Sequence, residues 1–101
     1  MKKLSCIFFA VSALAISAPV VHAGGAEVYQ TCVECHGANA ELSAMGKSQI
    51  IQGWPATQIV EAINGYKAGT YGGPLKALMK VQGDKLDDAS IQAVAEYISG
   101  L

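Results

Sequence analysis

The chain has 101 residues, with seven lysines, no arginine and eight carboxylates, for a formal net charge of −1. A chain of this length holds one small domain. Nucleic-acid binding calls for a basic face rich in arginine and lysine, so this charge balance excludes that class.

Met1-Lys2-Lys3 leads into an almost unbroken apolar run from Leu4 to Val21, followed by His22 and Ala23. A charged start, a hydrophobic stretch and a small-residue cleavage site form the three-part layout of a secretory signal peptide. The expected division is a signal peptide over residues 1–23, removed after Ala23, and a single domain over residues 24–101. The apolar run comes close to the roughly 20 residues a membrane-spanning helix needs. Pro19 and the Val-His-Ala site favour removal over an uncleaved anchor. Cys6 precedes the run instead of closing it, which argues against a lipid-modified cysteine. The expected location is the periplasm, with no membrane insertion after cleavage. Residues 24–101 keep five lysines and eight carboxylates, net −3, with two cysteines and His36 as the single histidine.

A first helix is predicted over Gly25–Cys35, with Ala26, Tyr29 and Val33 on one face and Gly37 as its stop. Residues 37–53 carry no clean period and read as loop, with one short helix around Leu42–Met45. Pro55 suits the first turn of a helix, where its missing N–H costs nothing. That helix is expected over Ala56–Tyr66, with Ile59, Ala62, Ile63 and Tyr66 recurring at i, i+3, i+4 and i+7. Residues 68–73 form a glycine-rich turn. Pro74 opens a short helix through about Lys80, and Gly83-Asp84 reads as a further turn. In the last helix Asp87 is the cap, Asp88 complements the dipole, and Ile91, Val94, Ala95 and Ile98 form the apolar stripe. No segment alternates long enough to argue for a sheet. The predicted class is all-α.

Cys32-Val33-Glu34-Cys35-His36 carries the chemistry. Cys-x-x-Cys-His is the pattern of covalent c-type haem attachment. On a helix, positions i and i+3 share a face, so both thiols can reach the vinyl groups on one porphyrin edge. His36 then offers an imidazole nitrogen to the iron. A thiol–disulfide redox site normally sits near a βαβ pattern, which is missing here. Tetrahedral zinc wants four ligands, and the chain has no second Cys/His pair. A disulfide between residues three apart would constrain little chain. One haem c, bound through Cys32 and Cys35, is the expected cofactor. It also staples a domain too small to build a thick core of its own.

With one histidine in residues 24–101, the sixth iron ligand falls to a methionine, Met45 or Met79. Nine residues span about 30 Å when extended, so reach alone does not separate the two. Met79 follows the turn region and precedes the last helix, which favours it as the residue that closes the far side. A thioether raises the reduction potential relative to a second imidazole and fills the site for electron transfer.

These features resemble the class I cytochromes c, in particular the small single-haem periplasmic type of bacteria. The resemblance runs over the whole of 24–101. It rests on Gly25 and Tyr29 ahead of Cys32, on Cys-Val-Glu-Cys-His-Gly at 32–37, and on Gly-Tyr-Lys-Ala-Gly-Thr-Tyr-Gly-Gly at 65–73. Lys-Ala-Leu-Met at 76–79 and Glu-Tyr-Ile-Ser-Gly-Leu at the end complete it. It implies N- and C-terminal helices crossing beside the haem, with Gly25 and Tyr29 meeting Tyr97, and Met79 as distal ligand. It also implies Tyr66 and Tyr71 near the haem propionates. One departure stands out: many members have a proline soon after the haem motif whose carbonyl orients the ligand histidine, and none lies between His36 and Pro55 here.

The function expected is that of a non-enzymatic periplasmic electron carrier, a monomer meeting redox partner proteins transiently at the haem edge. Lys67, Lys76, Lys80 and Lys85 are candidate docking cations. The alternatives are a haem subunit of a larger oxidoreductase complex and an open-site peroxidase-like or gas-binding protein. The last needs a distal acid–base residue, which the chain does not have to spare.

Overall fold

The computed structural model describes residues 24–101; the expected signal peptide, with Cys6 and His22, lies outside them. Among the described residues all regular structure is helical. Five helices follow in order: α1 (Gly25–Tyr29), α2 (Val33–His36), α3 (Ala56–Ala68), α4 (Lys76–Asp84) and α5 (Asp88–Ser99). A 3₁₀ turn occupies Ala44–Gly46. This matches the all-α class expected from the sequence. No helix among the described residues is long and apolar enough to cross a membrane.

The predicted first helix is split. Gln30, Thr31 and Cys32 donate to the carbonyls of Glu27, Val28 and Tyr29, three residues back instead of four. The backbone is thus tightened between α1 and α2. Thr31 adds to this, its hydroxyl donating back to the Val28 carbonyl at 3.0 Å. Within α1, Val28 and Tyr29 are buried against α5, and Ala26, expected inside, is exposed.

A second boundary also moves. Gly83, read as a turn, lies buried inside α4. A Cβ there would come within 3.2 Å of Lys67 Cγ and 3.6 Å of Ile63, both on α3. The glycine therefore serves close helix packing and not a chain reversal. α3 extends beyond its predicted end to Ala68 and stops at Gly69, whose left-handed backbone (φ 77°) closes the last turn.

α5 is the hub. It packs against both α1 and α3, and α3 packs against α4. Asp87 caps it, its side chain accepting from the Ser90 N–H at 2.8 Å. The predicted stripe of Ile91, Val94, Ala95 and Ile98 is buried throughout. Where α1 crosses, Gly25 lies directly against the Ala93 carbonyl and the Tyr97 Cβ, leaving no room for a side chain. Tyr29 sits beside Tyr97 with ring centroids 5.5 Å apart.

Gly25→Ala should therefore force the crossing apart and cost roughly 1–3 kcal/mol, as overpacking of a tight contact does. Guanidinium denaturation of the haem-loaded protein would read this as a lower midpoint. An unchanged midpoint would mean that the crossing has slack.

Candidate haem site

Cys32 caps the start of α2, and His36 is its last residue. This single turn sets the i, i+3 spacing of the thiols: Cys32 is half-buried, Cys35 is exposed, and both are free. Gly37 ends it with φ +87°, a backbone that L side chains rarely adopt. A Cβ on Gly37 would also meet the Glu41 carboxylate, which accepts from the Asn39 N–H at 2.7 Å. The chain thus turns sharply away just after His36.

Cys32, Cys35 and His36 stand on the wall of a cavity of about 730 Å³. Its lining is largely apolar, with Ile51, Ile59, Ile63, Leu86, Val94 and Ile98 from the loop, α3 and α5. The size falls within the roughly 300–1,000 Å³ of small-molecule and cofactor sites. Three observations fit a haem. The thiols sit on one wall. The His36 imidazole, 6 % exposed, makes no hydrogen bond to any protein group, and its Nδ1 is buried without a partner. Met45, Tyr71, Leu75, Leu78 and Val81 also border the cavity as large, exposed apolar side chains that a macrocycle would cover.

Burial sets the protonation of the site. It lowers the His36 imidazole from its ordinary value, favouring the neutral form that can bind a metal. Burial likewise raises the Cys32 thiol. Tyr66 is raised first by burial and then by Tyr71, whose ring meets it edge-on at 5.0 Å. Both tyrosines line the cavity.

Both methionines reach the same cavity, from different places. Met79 is half-buried on α4, which packs on α3. Met45 is 65 % exposed in the 3₁₀ turn that packs against α2, the helix of His36 itself. Its backbone is left-handed (φ 53°, ψ 23°), an uncommon state for a side chain of this size. Ser48 braces that turn, accepting from the Ala44 N–H at 2.8 Å and from the Ser43 hydroxyl through its own carbonyl.

The lysines divide differently from the expectation. Lys67 donates to the Leu86 carbonyl at 2.8 Å. Lys80 donates to the Lys67 carbonyl at 3.1 Å and pairs with Asp84 at 2.8 Å. These two are engaged in tying α3 to α4 and to the chain ahead of α5. Lys76 lines the cavity, as does Lys47, which the sequence reading left out together with Trp54. Loop residues 47–54 have no periodicity to mark which of them face inward.

The model of the cytochrome c family matches residues 22–101. The chain belongs to this family, which carries covalently attached haem c, and it is a small class I c-type cytochrome that acts as an electron carrier. Among its relatives, cytochrome c-553 of Nitratidesulfovibrio vulgaris is 34% identical over 102 residues, covering 100% of both chains. Cytochrome c-553 of Helicobacter pylori is 31% identical over 100% of this chain and 99% of its own. That of Desulfomicrobium norvegicum is 40% identical over 73% of this chain and 91% of its own.

If both thiols carry the cofactor, the protein matured with haem should keep its colour on a denaturing gel. The paired substitution Cys32→Ala with Cys35→Ala should lose it completely. Colour retained by the double variant would place the attachment elsewhere.

Proposed function

We propose that Cys32 and Cys35 hold the haem through thioether bonds and that His36 and Met79 are its axial ligands. The observation that carries this reading is the meeting of all four side chains on one apolar cavity, drawn from α4 as well as from the segment around α2. When bound, haem supplies a one-electron couple, its iron alternating between ferrous and ferric. The chain sets the conditions. His36, neutral and without a competing hydrogen bond, offers a nitrogen donor. Met79 offers a thioether, which raises the potential relative to a second imidazole. Met79 is preferred over Met45 because Met45 belongs to the turn packed on the His36 helix, whereas Met79 arrives on a separate helix. The apolar wall keeps water from the iron and penalises added charge, a further upward influence on the potential.

In this reading the protein is not itself a catalyst, since beyond His36 it has no histidine or arginine in residues 24–101 to serve as a distal acid or base. Partners approach the cavity mouth, where Leu75 and Leu78 are exposed and Lys47 and Lys76 supply positive charge to a protein of net negative charge. Encounters of this sort are small and transient, and the carrier works as a monomer. Export is the remaining part of the proposal: residues 1–23 act as a signal peptide, and the working chain begins at Gly24 in the periplasm.

Visible spectra with and without carbon monoxide test the ligand set. The parent should be low-spin and indifferent to carbon monoxide when reduced. Met79→Ala should turn high-spin and bind it, while Met45→Ala should behave like the parent. A parent that binds carbon monoxide would overturn the filled site and with it the simple carrier. Intact mass of the periplasmic protein should correspond to residues 24–101 plus one haem; a mass that retains residues 1–23 would refute cleavage.

A further inference from the structure

The His36–Gly37 pair has four backbone polar groups, and each is engaged. The His36 N–H donates to the Cys32 carbonyl at 2.9 Å, and the Gly37 N–H donates to the Val33 carbonyl at 2.8 Å. The His36 carbonyl accepts from the Leu42 N–H at 3.0 Å. The Gly37 carbonyl accepts from the Tyr29 hydroxyl, and more distantly, at 3.4 Å, from the Ala40 N–H. Tyr29 is the one side chain in this set. It is 1 % exposed, and Gly37 is buried too, so water does not compete for the bond.

The imidazole has no such support. Metal-bound histidines are normally oriented by a hydrogen bond at the outer ring nitrogen, whereas the Nδ1 of His36 has no protein partner. The ring's direction is left to packing and to the backbone that carries it. On the C-terminal side, that backbone is fixed where Gly37 turns away at φ +87°. The Tyr29 hydroxyl holds that point.

We propose that Tyr29 is a positioning residue for His36: by binding the Gly37 carbonyl it sets the direction in which the imidazole enters the haem cavity, a task usually given to a hydrogen bond on the ring itself. The inference rests on the assignment of His36 as an iron ligand. The same phenol ring packs at the α1–α5 crossing beside Tyr97, so the packing of the terminal helices is coupled to the setting of the ligand. Loss of the hydroxyl loosens the imidazole, which donates less to ferric iron, and the couple shifts toward the ferrous state.

The test compares Tyr29→Phe, which keeps the ring, with Tyr97→Phe, which removes a hydroxyl from the neighbouring ring, in the haem-loaded protein. Tyr29→Phe should shift the ferric/ferrous equilibrium at least threefold toward ferrous against a fixed reference couple, about 28 mV at 59 mV per tenfold for one electron. It should also move the hyperfine-shifted His36 ring resonances in the proton spectrum of the ferric protein. Tyr97→Phe should do neither. If Tyr29→Phe lowers only the unfolding midpoint and leaves the potential and the His36 resonances unchanged, the role is packing alone and the proposal fails. If that variant does not take up haem, the unsubstituted protein decides: a slowly exchanging Tyr29 hydroxyl proton with cross-peaks to the Gly37–Ala40 segment supports the bond, and exchange at the solvent rate rules it out. His36 ring protons without hyperfine shifts in the parent would instead defeat the ligand assignment, whatever Tyr29 does.

Discussion

The contact on which the rest of the molecule depends is the crossing of α1 over α5 at Gly25. α1 is five residues long, far below the roughly 12–15 residues at which an isolated helix begins to hold in water. It exists because it lies against α5, and it lies that close because position 25 has no side chain. Seven residues further on is Cys32. The crossing therefore fixes where the haem motif begins. α5 is shared between two tasks: it packs against α1, and it presents Val94 and Ile98 to the cavity.

The second constraint is the thinness of the core. Tyr29, Ile91 and Val94 are the largest fully buried side chains, and Leu42, Met45, Ile50, Tyr71, Leu75, Leu78 and Val81 remain exposed. Many of those exposed side chains border the cavity. Domains of this size usually need a staple, and a covalently held macrocycle supplies both the cross-link and the missing apolar partner. The cofactor is in this sense part of the fold, and the same apolar surroundings that gain from covering it also bias its redox couple.

Charge is distributed by the same logic. Lys67 and Lys80 use their ammonium groups as donors to main-chain carbonyls, Leu86 and Lys67 respectively, and so hold α3, α4 and the approach to α5 in register. The Lys80–Asp84 pair is about half exposed and adds little of its own. The positive charge left beside the cavity belongs to Lys47 and Lys76, on two different stretches of chain. A lysine count by itself overstates the docking surface, because a lysine that reaches a carbonyl is no longer free to meet a partner.

Local pattern determined a good part of this protein. The i, i+3 thiols and the adjacent histidine follow from one helical turn, and the cap and stripe of α5 follow from Asp87 and four apolar residues at helical spacing. Those features depend on neighbours within a few residues, which is why they were legible. The break between α1 and α2, the place of Gly83 inside α4, the engagement of Lys67 and Lys80, and the inward face of Lys47 and Trp54 were not. The last three depend on surfaces brought up from elsewhere, such as Ile63 for Gly83 and Leu86 for Lys67. The break rests on three-residue backbone bonds and the Thr31 hydroxyl, which no apolar periodicity marks. The bond from Tyr29 to Gly37 spans only eight residues, yet it too was invisible in the sequence. Its strength comes from the exclusion of water, and burial is a property that the folded chain acquires only when distant helices close over it.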